Sequence, residues 1–128
     1  EGGMAAMEKV LRGPELPTAV MCSNDMTAIG ALRVLARAGM KVPEEMSVIG
    51  FDDIHLAEFV YPPLTTVQMS RSDLARGAFE ALRAIRETPE KRAQPMITTR
   101  LIVRQSTSYP RGSALASQKP RLPRRIEK

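Results

Sequence analysis

The chain has 128 residues, enough for one modest domain, and its 43% apolar and 26% charged residues are ordinary for a globular protein. A single cysteine, Cys22, rules out an internal disulfide and a cysteine-rich zinc cluster, and no apolar run approaches the roughly 20 residues a membrane helix needs. The net charge of +5 points to nucleic acid, yet residues 1–110 hold 13 basic and 13 acidic residues, while residues 111–128 hold six basic and one acidic, so the whole excess lies in the tail.

Glu1 already begins what reads as the end of an amphipathic helix over residues 1–12, so an upstream portion is expected. Met4, Met7, Val10 and Leu11 share one face, and Gly13-Pro14 stops the helix. Residues 18–22, TAVMC, are short, apolar and flanked by breakers, which predicts a buried strand with Cys22 as a packing residue. Ser23, Asn24 and Asp25 suit a turn or a helix N-cap, and a helix from about Met26 to Ala38 follows. Ile29, Leu32, Val34 and Leu35 give that helix its apolar surface; Ala28, Gly30 and Ala31 permit close packing, and Gly39 closes it.

After a loop at 42–45, MSVIGF (46–51) predicts a second buried strand ending at Asp52-Asp53. Residues 54–60 read as a short helix or irregular turn, broken at Tyr61-Pro62-Pro63, and 64–67 as a short extended piece. Ser70 or Ser72 caps a helix running to about Arg86, with Leu74, Ala75, Ala78, Phe79, Leu82 and Ile85 in one stripe. Residues 96–105 alternate as a half-buried strand, with Ile97, Leu101 and Val103 on one side and Arg100 and Arg104 on the other. Past Tyr109 no fixed structure is expected. A basic tail without aromatic residues reads as a solvated, disordered end, with phosphate-backbone binding as the alternative. Strands separated by helices imply parallel pairing, hence a doubly wound α/β sheet with flanking helices.

Ligands of open α/β sheets bind beyond the carboxyl ends of the strands. Two strands end in polar clusters, Ser23-Asn24-Asp25 and Asp52-Asp53, and parallel pairing puts both on one edge. A carboxylate accepts from two hydroxyls and an amide both donates and accepts, so Asn24 with Asp52 suits a polyol. The competing reading is that Asn24 and Asp25 only cap a helix while Asp52 and Asp53 only shape a turn. Catalysis is poorly supported. His55 is the single histidine, with no nucleophile beside it, and no glycine spacing fits a phosphate loop. Magnesium on the paired carboxylates would call for more ligands than are visible. No metal, cofactor or enzymatic activity is therefore expected.

The stretches PTAVMCSNDMTAIGALRVLARAGMKVPEEMSVIGFDD, PPLTTVQMS and LIVRQST, in that order and spacing, resemble successive signatures of the lactose-repressor/galactose-repressor family over roughly residues 4–109. The resemblance implies an incomplete, periplasmic-binding-protein-like effector domain over residues 1–109, followed by the basic tail at 110–128. It implies a cytoplasmic regulator with a small effector, usually a sugar and sometimes a nucleobase, held between two lobes. Operator DNA is then bound through a helix-turn-helix domain outside this chain, and the full-length protein is a homodimer, with no membrane partner. A transport-type periplasmic sugar-binding protein of the same fold is the alternative. Residue by residue, Asn24 and Asp52 match effector-contacting positions, with Asp53 beside them in a supporting role. Ile29 and Val60 fall on surfaces used for dimer contacts. Many members carry Gln where this chain has Met69; Gln68 comes one residue early, which puts that polar contact in doubt. The family places the helix at 70–86 in the first lobe, so Leu74, Phe79, Leu82 and Ile85 would lack their usual sheet here, and the isolated chain is expected to have low stability.

Overall fold

The computed structural model describes residues 1–88 and 96–113. They form α1 (Gly2–Leu11), β1 (Ala19–Met21), α2 (Asp25–Arg37), β2 (Ser47–Phe51), a 3-10 turn at His55–Glu58, β3 (Thr65–Met69), α3 (Arg71–Glu87) and β4 (Thr99–Ile102). The four strands make one sheet in the order β1-β2-β3-β4. The first two pairings are parallel, with Val20 opposite Val48 and Gly50 opposite Thr66. The α/β architecture with a predominantly parallel sheet thus stands as the sequence predicts. Its last strand departs from the pattern: β4 runs antiparallel to β3, with Val67 opposite Leu101. Here α3 lies between the two strands in sequence but does not act as a crossover helix.

α2 is specified at both ends. The Asn24 carboxamide oxygen accepts from the Thr27 amide at 2.8 Å, and Arg37 occupies the last turn where the helix dipole favours a cation. Gly39 follows with a φ of 72°, the left-handed conformation that ends many helices. On its inner face Ala28, Ala31, Leu32, Val34 and Leu35 form one core cluster with Met46 just before β2, Val48 of β2, Leu64 before β3, Ala57 of the 3-10 turn and Met7 of α1. Met4, Val10 and Leu11 pack against this core as the α1 periodicity predicts. α1 approaches α2 so closely that a Cβ at Gly3 would strike the Thr27 backbone, and one at Gly30 would lie 3.1 Å from the Met4 amide nitrogen.

Two expectations are corrected. β1 is not a buried strand: Met21 is 76% exposed and Ala19 is open to solvent, because β1 is an edge strand whose outer face nothing covers among the described residues. Cys22 just beyond it is buried, and burial pushes its thiol up from the ordinary value, which keeps it neutral as a packing group. At β4 the expected apolar side is not the buried one: Leu101 and, just past the strand, Val103 are exposed, as is Arg100, whereas the Arg104 side chain beyond the strand is largely buried. At the start of the basic tail the Ser113 N–H donates to the Pro110 carbonyl at 3.1 Å, and the Arg111 guanidinium donates to the Leu16 carbonyl at 2.9 Å. The rest of the basic tail, residues 114–128, lies outside the described residues, as does the predicted helix stop at Pro89.

α3 starts as predicted, with the Ser70 hydroxyl accepting from the Asp73 amide. Among the described residues its apolar stripe has no sheet beneath it: Phe79 and Leu82 are 67% and 69% exposed. Polar substitution there forfeits little buried area. In the 128-residue chain, Phe79→Ser combined with Leu82→Ser is expected to move the thermal midpoint by less than about 4 °C, the shift a surface change of about 0.5 kcal/mol produces in a domain this small. A drop of about 10 °C or more in a melting experiment would show that the stripe is covered in solution.

Candidate functional site

The site is built where β2 and β3 leave the sheet. Asp52 directly follows β2 and has a φ of 111°, and Asp53 follows at 51°. Aspartate tolerates the second value, but the first is a region where glycine is at ease and a side chain stores about 1–3 kcal/mol. The turn is held by three consecutive backbone amides. The Asp52 N–H donates to the Val67 carbonyl at 2.9 Å, the Asp53 N–H to the Thr66 hydroxyl at 3.4 Å, and the Ile54 N–H to the Asp25 carboxylate at 2.8 Å.

Asp25 is fully buried, and its other oxygen accepts from the Thr66 hydroxyl at 2.6 Å. Helix capping falls to Asn24 alone, while Asp25 reaches across the sheet to hold the turn. Gly50 makes this possible, because a Cβ there would land on the Asp25 Oδ1. Thr66 therefore bonds to both, donating to Asp25 and accepting from Asp53.

Asp53 is almost completely engaged. Its Oδ1 accepts from the Arg104 guanidinium at 2.7 Å and its Oδ2 from the Gln68 amide at 2.7 Å, with side-chain exposures of 12% for Asp53 and 13% for Arg104. The same guanidinium donates to the Leu64 carbonyl at 2.8 Å and meets the exposed Glu58 at 3.3 Å. A magnesium pair at Asp52-Asp53 would have to displace these bonds. By contrast, no donor is bonded to the Asp52 carboxylate among the described residues; its only bond is through the backbone.

Asp52 opens onto a cleft of about 520 Å³, walled by Asp53, Gln68 and Met69 on the sheet side and by Ser70, Arg71 and Ser72 at the start of α3. Asn24 does not line this cleft. Parallel pairing of β1 and β2 does bring Asn24 and Asp52 out on the same sheet edge. The Asn24 carboxamide oxygen is spent on the helix cap. Ile29 and Val60, singled out as dimer contacts, are half-buried and pack against the core. His55 is exposed, its ring 4.9 Å from that of Phe59.

The sequence reading missed Arg104, Thr66 and the reach of Asp25. Met69, standing where many family members carry Gln, lines the cleft, and Gln68 one residue earlier lines it too and holds Asp53. The one signal for Arg104 was its place in LIVRQST. That segment continues inward: Ser106 is fully buried, donates to the Val48 carbonyl at 2.6 Å and accepts from the Thr65 amide at 2.8 Å.

Residues 1–107 match the periplasmic binding protein-like domain family. The HTH-type transcriptional repressor PurR of Pasteurella multocida is 42% identical over 107 residues, which cover 83% of this chain and 32% of the repressor. The chain thus spans about a third of the length of this relative. Among solved structures, a LacI family transcriptional regulator from Enterococcus faecium with bound ribose superposes with a TM-score of 0.68 at 31% identity, covering 84% of this chain and 40% of that one. The lac repressor dimer bound to operator and the anti-inducer ONPF superposes with a TM-score of 0.73 at 27% identity, covering 82% and 37%. The chain belongs to the periplasmic binding protein-like domain family, in the form found in transcription regulators of the lactose-repressor type.

Proposed function

We propose that this chain is the effector-sensing part of a lactose-repressor-type regulator, and that it binds a small polyhydroxylated effector, a sugar, at Asp52. The observation that carries the reading is the Asp52 carboxylate: it faces a polar cleft, sits on a strained backbone and has no protein donor among the described residues. Bound hydroxyls supply the missing donors. Gln68 and, across the sheet edge, Asn24 add polar contacts, while Asp53 supports the turn. A half-site of this kind is completed by a facing lobe, so the effector sits between lobes and favours one lobe arrangement over another. Operator DNA is contacted by a part of the protein outside this chain, and a homodimer forms through surfaces that include Ile29 and Val60. The relatives described above are repressors and regulators, one of them with bound ribose, which favours sensing over transport or catalysis.

The test is Asp52→Ala in the intact gene product, titrated calorimetrically with the effector identified by a thermal-shift screen of sugars and nucleobases. Hydrogen bonds to a charged group are worth about 1.5–3 kcal/mol each, so losing two is expected to weaken the effector by about 100-fold or more. Operator affinity without effector stays as it was. Unchanged effector affinity would remove Asp52 from the site, and a nucleobase as the only hit would replace the sugar.

A further inference from the structure

Asp52 is the residue that meets solvent, but little of what holds it belongs to Asp52 itself. Its left-handed backbone has one bond of its own, to the Val67 carbonyl, and is followed by Asp53, whose two carboxylate oxygens are each held by a different side chain. One grip, Gln68, lies on β3. The other, Arg104, comes from the segment just past β4 and ties Asp53 to the Leu64 carbonyl at the entrance to β3. Arg104 is anchored in turn, its amide donating to the Thr65 hydroxyl at 3.0 Å.

An exposed ion pair contributes little. This one is largely buried on both sides, with the guanidinium forked between a carboxylate and a carbonyl, a geometry that fixes direction as well as distance. The fully buried carboxylate beneath the turn, Asp25, holds only the Ile54 amide and the Thr66 hydroxyl, so it does not reach Asp53's side chain.

We infer that Arg104 is a positioning residue for the effector site: by clamping Asp53, it keeps Asp52 in the left-handed conformation that presents the free carboxylate to the cleft. This rests on the effector reading of Asp52 given above. It also gives the strand after α3 a direct mechanical link to the ligand-facing turn, through a side chain that does not line the cleft.

The test is hydrogen exchange with mass spectrometry on the intact gene product without ligand, for Arg104→Ala, Arg104→Lys and the unaltered protein. In Arg104→Ala the amides of residues 51–54 are expected to exchange about ten- to a hundredfold faster, the worth of a lost bond to a charged group, while those of α2 stay protected. Arg104→Lys, which keeps the charge but not the fork, falls between the two. In parallel, the effector from the screen loses affinity in Arg104→Ala at unchanged α2 protection. Unchanged exchange over 51–54 would overturn the clamp, and so would an equal rise across α2, which marks a fold-wide effect. If Asp52→Ala leaves effector affinity intact, the site reading falls, and the exchange data alone judge whether Arg104 holds the turn.

Discussion

Asp25→Ala is expected to destabilise the fold by about 2–5 kcal/mol, since each buried donor left without a partner costs about 1–3 kcal/mol. The variant strands two such donors, the Ile54 amide and the Thr66 hydroxyl, and opens a void beside Gly50. The adjacent Asn24→Ala removes only a cap bond to the Thr27 amide, worth about 1 kcal/mol. The two neighbours look equivalent in the SND sequence but hold different things in the structure, one a helix end and the other the turn across the sheet. Urea unfolding of the two variants side by side measures this directly. Equal losses would mean that Asp25 is only a cap and that the turn at 52–54 is held by other means. Asp25→Asn separates charge from shape. Its one oxygen serves a single donor, so it falls between the two alanine variants.

The position of Asp25 also shows what was and was not legible in the residues. The apolar periodicities of α1 and α2 and the β-rich run of β2 translate directly into the core, because each is a one-sided pattern with a partner in the same chain. β1 misleads because an apolar run states what a strand prefers, not whether anything covers it; as an edge strand it leaves Met21 in solvent. β4 fails differently. Alternation groups Leu101 with Val103, and both are exposed, but it also groups Arg100 with Arg104, and of these Arg100 is exposed while Arg104 is largely buried, so burial follows the partner a side chain finds and not the period alone. A buried carboxylate at Asp53 draws Arg104 in, and the apolar side is left uncovered.

The candidate site was legible in its outline. SND, GFDD, LTT and LIVRQST stood out as separate signatures. In the structure they form a single polar assembly, with Thr66 bonded to Asp25 and Asp53, Arg104 holding Asp53, and Ser106 stitching Val48 to Thr65. Such links run between residues 13 to 58 positions apart, and no local pattern records them. The same bonding explains why Asp52 and Asp53 differ in role although they are neighbours of one type: the second is consumed by the scaffold and the first is not.

That difference makes Asp52→Gly the most informative substitution in the chain. A carboxylate at a φ of 111° stores about 1–3 kcal/mol of backbone strain that glycine does not feel. The Asp52 side chain makes no bond within the described residues, so its removal forfeits no internal interaction. The added freedom of glycine in the unfolded chain opposes the gain by roughly 0.4–1 kcal/mol. The net expectation is a protein at least as stable as the original, by up to about 2 kcal/mol, with effector affinity reduced about 100-fold or more. A residue kept for the fold behaves in the opposite way, losing stability on truncation. Thermal melts of the intact gene product with and without effector read both quantities at once: the ligand-free midpoint holds or rises, and the ligand-induced increase disappears. A lower ligand-free midpoint would mean that Asp52 is a structural residue after all, and a preserved ligand-induced increase would mean that the effector is held elsewhere.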